Sequence, residues 1–432
     1  MIQAPRLDGR FRLSEIQARE LAKDFGTPLY VIDETAFRSR IRRYRDALAA
    51  SYPRTELSFA AKANSTLAVL AIAHQEGCVL DVASEGELRA ALAAGAPGST
   101  CRLHGNFKRS DELDFALAQG IGEIVVDSLD EIEMLAARAF GATRLVLRLA
   151  PAVNPVTHEK ISTGQADTKF GLGISSGAAE AAVRRCVELG LPLSGYHCHV
   201  GSQLLDPEAQ LLGGETIARF AVQMAKLHGV TPLSLNVGGG LGVRYVDEEP
   251  MEVEEYCRLV AAGVSRALEG SGLAPTLAHE PGRALVAESG VTLYTVGPIK
   301  EVDLGRGAQR VYVSVDGGMS DNPRPALYDA AYTVLPLAAG DGPTRKVTVC
   351  GRHCEADTMF RDVELPVDLK PGDLLQVLCT GAYASSMASN YNRFPRPATV
   401  LIRPDGKPEI VQERETWDQV LAREPIPEDL RT

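Results

Sequence analysis

No apolar run in this 432-residue chain is long enough to cross a bilayer, and its opening, MIQAPRLDGRFRL, lacks the apolar core of a secretory leader. A basic patch is missing too. Lys and Arg number 45 against 56 Asp and Glu, a net charge of −11, which argues against nucleic acid or an anionic membrane as the main partner. CxxC spacing is absent among the 8 cysteines (Cys78, Cys101, Cys186, Cys198, Cys257, Cys350, Cys354 and Cys379). They are expected to be thiols in a reducing cytoplasm, most of them core filler. There is no low-complexity segment, no fixed-period repeat and no GK[ST] of a P-loop. The dinucleotide fingerprint fails in NVGGGLG, because Val243 stands where its last glycine belongs.

What is present is an ordinary globular composition, 45% hydrophobic and 23% charged, with length enough for two domains. From about residue 57 to 281, short β-rich runs alternate with helix-period runs. The candidate strands are LSFAA, VLDVAS, TCRLHG, EIVVDS, RLVLRLA, LSGYHCHV, LSLNV and TLAHE; DELDFALAQ and LDEIEMLAARA read as amphipathic helices between them. This count predicts an α/β (β/α)8 TIM-like barrel, with a doubly wound open sheet as the alternative. After about residue 285 the runs VTLYTVGPIKEV, RVYVSVDGG, RKVTVCG, DLLQVLCTGAY and ATVLIRPDG predict a C-terminal all-β domain. The expected division is 1–35, a segment whose PLYVIDE run joins the β domain, then 36–284 as the barrel and 285–432 as the β domain. The tail ETWDQVLAREPIPEDLRT predicts only a short helix.

Barrel chemistry gathers at the C-terminal ends of the strands. Those ends carry Lys62; Asp81 and Ser84; His104 and Asn106; Asp127; Arg148; His197, His199 and Ser202; Gly238, Gly239 and Gly240; and Glu280, Pro281, Gly282 and Arg283. Each alone has a plain structural explanation: a tight turn for the glycines, a packed histidine, a salt-bridged Lys62, a Glu280–Arg283 pair. Together they suggest more. Successive glycine N–H groups can hold a phosphate. HCHVGS puts His197 and His199 on one side of a strand, where a zinc site is conceivable, but no third ligand is spaced convincingly nearby. A lysine buried in LSFAAKAN would have its charge disfavoured and its amine free to attack an aldehyde. A phosphate cradle, a strand-end lysine and a carboxylate for a pyridine nitrogen together imply pyridoxal 5′-phosphate.

FAAKAN, DVASEGEL, HGNFK, GYHCHVGSQ, NVGGGLG and EPGR resemble the fold type III pyridoxal-phosphate-dependent decarboxylases. STGQADTKFGL, DNPRPALYDA, HCEAD and CTGAYASSMASNYNRFPRP resemble the diaminopimelate decarboxylases among them, in order from about residue 25 to 402. The resemblance implies decarboxylation of meso-2,6-diaminopimelate to L-lysine. It implies roles by position: Lys62 as the Schiff-base lysine, His199 against the ring, and Glu280 on the pyridine nitrogen. Asp81, Ser202, Gly239, Gly240, Gly282 and Arg283 become cofactor contacts, and Arg283, Arg324, Tyr328 and Glu355 substrate contacts. Cys354 matches the acid that protonates the intermediate, and Tyr383 touches cofactor and substrate. It also implies a homodimer in which Cys354 and Glu355 serve the other subunit's site. The chain departs from the family's Cys-Glu-Ser-x-Asp, reading Cys354-Glu355-Ala356-Asp357, and carries Phe107 and Glu85 where the family often has Asn and Gly. Rival readings are a racemase, a decarboxylase of ornithine, lysine, arginine or carboxynorspermidine, a non-catalytic homologue, and a zinc hydrolase.

Overall fold

A computed structural model describes residues 9–153, 168–337, 342–355 and 358–431. Most of STGQADTKFGL, with Ala356 and Asp357 of HCEAD, lies outside them. The chain divides into two compact units, one of residues 37–286 and the other of residues 1–36 with 287–432.

The 37–286 unit is a closed barrel of eight parallel strands, Thr55–Ala60, Val79–Val82, Cys101–Leu103, Glu123–Val126, Arg144–Ala150, Leu193–His197, Ser234–Asn236 and Thr276–His279. They are called the first to eighth barrel strands below. Each neighbours the next, and the eighth pairs with the first through Leu277–Thr55 and His279–Leu57. Burial on both faces explains their sequences: such strands read as short apolar runs, not as alternation. Helices follow most strands. Ser84 and Ser128 cap two of them by accepting the backbone N–H three residues on. The cap explains Ser84, which is exposed and serves its own helix.

The other unit is mostly sheet. Leu29–Asp33 pairs antiparallel with the long strand Gly290–Gly305 and parallel with Ala398–Ile402, so the PLYVIDE run does enter this sheet. The long strand breaks register between Val296 and Ile299. Gly297 and Pro298 sit there; proline lacks the N–H a ladder needs and is tolerated at a bulge. The tail forms a short helix, Trp417–Leu421, and a 3-10 turn, Glu428–Leu430. No helix among the described residues is long and apolar enough to cross a membrane.

Candidate active site

The eighth strand ends at His279, and Glu280 follows it into the barrel mouth with its side chain buried. Its Oε1 accepts from Arg102 Nη1 at 2.9 Å, Asn236 Nδ2 at 2.6 Å and His104 Nε2 at 3.1 Å. Its Oε2 lies 3.0 Å from His197 Nε2. Burial alone would raise the Glu280 carboxyl, but the His104 and His197 rings outweigh it and hold the group well below the carboxylate range. The two rings meet edge to face, 4.9 Å between centroids. Burial holds both below the usual histidine value, His104 at about 3. Each is therefore a neutral donor at pH 7.

Asp81, from the second strand, lies 3.4 Å from His104 Nε2. Burial and then the Glu280 charge push its carboxyl up to about 7, while Lys62 pulls it down. Lys62 is also felt by Glu87, His104 and His199, so its ammonium faces the same mouth. The expectation of a buried Lys62 is overturned. The first strand stops at Ala60, and a 3-10 turn over Ala61–Ala63 buries both alanines and exposes Lys62 between them. Its own packing does not desolvate it.

His199 lies just beyond the sixth strand, its protonation disfavoured first by burial and then by Lys62. The Gly238–Gly240 loop packs against this segment. A Cβ on Gly238 would stand 2.5 Å from Cys198 O, and one on Gly239 2.4 Å from Glu280 O. Gly238 N donates to Asn236 Oδ1 at 2.9 Å, so Asn236 ties the loop to Glu280. Gly282 is as close-packed, 2.9 Å from Ala63 Cβ once a methyl is built. Arg283 Nη2 donates to Ser202 Oγ at 3.0 Å, and Arg283 Nη1 donates to Tyr245 OH. The plain Glu280–Arg283 pair is thus replaced by Glu280–Arg102 and Arg283–Ser202.

Other strand-end candidates have structural uses. Asp127 accepts from Gly171 N at 2.7 Å, and Arg148 stacks on Phe170 at 4.4 Å. Asn106 is exposed.

In the sheet unit, Arg324 and Tyr328 share one short helix. Arg324 is buried, and its Nη1 donates to Tyr332 OH at 2.6 Å. Tyr383 sits at φ 58 after Gly381. Cys354 and Glu355 are exposed. Cys354 N donates to Asn392 Oδ1 at 2.9 Å, the Tyr391 hydroxyl donates to Glu355, and His353 stacks on the Tyr391 ring at 5.9 Å. His353, Cys354 and Glu355 thereby rest on Tyr391 and Asn392.

The donor set fits pyridoxal 5′-phosphate. Among the described residues, Glu280 Oε2 has one donor against three on Oε1, which leaves acceptor capacity for a ring N–H. The Gly239 and Gly240 N–H groups have no acceptor among the described residues, beside the cationic Arg283 and the Ser202 hydroxyl, as a phosphate requires. The sequence expectation about metal is corrected in one respect. His197 has partners after all, because ligand atoms of His104, His197 and Glu280 lie within 4.8 Å of one another. They come from three strands far apart in sequence. Arg102 already places a cation 2.9 Å from Glu280 Oε1, which opposes a metal ion there.

Sequence reasoning missed Arg102, Asn236 and Tyr245. Alternation in TCRLHG held the available signal, since it places Arg102 on the same face as His104.

A family described as "Pyridoxal-dependent decarboxylase, pyridoxal binding domain" matches residues 35–287. A diaminopimelate decarboxylase of Bacillus subtilis is 40% identical over 421 residues, 96% of this chain and 94% of that protein. One of Actinosynnema pretiosum is 44% identical over 421 residues, 96% and 93% of the two chains. The crystal structure of diaminopimelate decarboxylase from M. jannaschii in complex with L-lysine superposes with a TM-score of 0.90 at 32% identity, covering 99% of each chain.

Proposed function

The chain belongs to the pyridoxal-dependent decarboxylases, and from that premise we propose that its site removes CO2 from meso-2,6-diaminopimelate and releases L-lysine. The observation that carries the reading is the buried Glu280 carboxylate, held charged at the barrel mouth beside Lys62 and the Gly238–Gly240 loop. The substrate follows the relatives' names, supported by their identity over nearly the whole chain.

Pyridoxal 5′-phosphate, when bound, supplies an aldehyde for an amine and an electron sink for the bond that breaks. Lys62 offers the amine at the end of the first strand. Glu280 holds a proton at the ring nitrogen through Oε2. His199 covers the ring, with Asp81 beside Glu280. Ser202, Arg283, Gly239, Gly240 and the close-packed Gly282 turn hold the phosphate. Substrate is gripped at its far carboxylate by Arg324, with Arg283 and Tyr328, because a guanidinium binds a carboxylate through two bonds. Glu355 takes the far ammonium, and Tyr383 lines cofactor and substrate. The Cys354 thiol gives a proton to the α-carbon after CO2 leaves.

We assign Cys354 and Glu355 to the site of a second copy in a homodimer. Their exposure supports this. A cytoplasmic setting belongs to the same reading, supported by eight free cysteines.

The test is CO2 release by the cofactor-loaded protein on meso-diaminopimelate, with ornithine, lysine, arginine and carboxynorspermidine in parallel. Turnover of meso-diaminopimelate with lysine formed is expected. Preference for another amine would keep the cofactor and Lys62 but remove Arg324 from its role.

A further inference from the structure

Arg102 occupies the middle of the third barrel strand with its side chain 2% exposed. Barrel interiors are ordinarily filled by branched apolar side chains, and a guanidinium there must recover its lost hydration from bonded partners. Four of its five N–H donors find one. Nε donates to Glu123 Oε2 at 2.6 Å, Nη2 to Glu56 Oε1 at 2.6 Å, and Nη1 to Ser58 Oγ and Glu280 Oε1, each at 2.9 Å. Glu56 and Glu123 lie at or near the starts of their strands. They anchor the guanidinium from the far end of the barrel and leave one edge for Glu280.

Four donors reach Glu280 among the described residues, and only one carries charge. Asn236 is neutral, and burial keeps His104 and His197 unprotonated. Arg148 contributes through the field, and Asp81 opposes.

We propose that Arg102 is a positioning residue for the reaction, fixing Glu280 through Oε1 and keeping it charged so that Oε2 serves the ring nitrogen. This rests on the reading of Glu280 given above. Arg102 touches neither cofactor nor substrate in this account; it acts through Glu280.

The experiment uses the holoenzyme carrying cofactor labelled with 15N in the ring, in the wild type, Glu123→Gln, Arg102→Lys and the double variant Arg102→Gln/Glu123→Gln. The double variant removes one charge of each sign, so the barrel interior is not left with an extra anion. The 15N shift, read from about pH 6 to about pH 9, reports the ring proton, which is lost more easily as its partner carboxylate weakens. The wild type and Glu123→Gln should stay protonated throughout. The double variant should lose the ring proton within that range, with kcat down about 10- to 100-fold and KM little changed. Arg102→Lys, a point charge in place of a fork, should fall between.

A loaded double variant with a protonated ring and the kcat of Glu123→Gln overturns the proposal, leaving Arg102 as barrel filling. Should the double variant fail to fold, wild-type behaviour of Arg102→Lys overturns it equally. A neutral ring nitrogen in the wild type sinks it through the reading of Glu280. Wild-type protein that takes up no cofactor marks the failure of the functional reading itself.

Discussion

A single methyl group at Gly239 should weaken cofactor binding and turnover together. Gly238 and Gly240 have φ of +74° and +145°, so alanine would be strained there whatever the space. Gly239 has no such φ, and Gly239→Ala therefore isolates a contact. The new Cβ would stand 2.4 Å from Glu280 O, 3.0 Å from Glu280 C and 3.2 Å from Pro281 Cα. All three are backbone atoms, and none can rotate away. The shortest contact is about 1 Å too close for ordinary van der Waals separation. Either the glycine loop or the Glu280 segment must move. Overpacking of this kind costs about 1–3 kcal/mol, which is about 5- to 150-fold in cofactor affinity if the loop is native only when loaded. A displacement of about 1 Å at Glu280 costs about 100-fold in kcat. Fluorescence titration of the apoprotein with pyridoxal 5′-phosphate and CO2 release by the loaded enzyme read the two effects. Gly342→Ala is the control, since Gly342 has no positive φ and nothing within 4 Å of the built Cβ. Gly239→Ala with both constants within about twofold of wild type would refute the close-packed loop as the phosphate cradle.

Glu280→Gln should fold and take up cofactor, because His197 Nδ1 has no partner among the described residues and the ring can switch tautomer to accept from the new amide. Its kcat should fall about 10²- to 10³-fold; absorbance of the loaded protein and turnover check this, and a loss under about tenfold would remove Glu280 from the ring nitrogen. Cys354 is exposed, Cys350 half-buried and the other six cysteines buried. One thiol per chain should therefore react fast with a chromogenic disulfide, Cys354→Ser should abolish that phase, and saturating L-lysine should slow it. Labelling indifferent to L-lysine would place Cys354 outside the site.

The barrel was legible because parallel strands are short apolar runs, and all eight candidate runs lie on barrel strands. Their ends were less legible. LSFAAKAN reads as one buried strand, yet the strand stops at Ala60 and the alanines continue into a turn; an apolar run carries no mark of where extended backbone gives way. LSGYHCHV likewise ends as a strand at His197. The charged interior was illegible for another reason. Arg102 pairs with residues 21, 46 and 178 positions away, and a mid-strand arginine has meaning only once the barrel brings Glu123, Glu56 and Glu280 around it. The same holds for His197, whose partners His104 and Glu280 come from other strands. Glycine loops, by contrast, announce themselves locally: NVGGGLG shows its close approach by three successive residues without side chains.

Two carboxylates, Asp81 and Glu280, face the same mouth, and their surroundings divide the work between them. A partner for a protonated ring nitrogen must stay ionised across the working range. Against burial, His104 and His197 hold Glu280 well below the carboxylate range, and a guanidinium and an amide also donate to one of its oxygens. Asp81 lies 3.4 Å from a neutral histidine, and burial, then the Glu280 charge, lifts it to about 7 against the pull of Lys62. Below that pH Asp81 is protonated and neutral; above it, a second anion stands beside Glu280 and attracts the substrate's ammonium to the mouth. Wild-type kcat/KM should therefore rise through a step with its midpoint at about 7. Asp81→Asn, which cannot ionise, should lose the step and stay at the low-pH level throughout. The measurement is the pH profile of kcat/KM for both proteins. A step at an unchanged midpoint in Asp81→Asn would mean that another group titrates there, and the division of roles between the two carboxylates would fall.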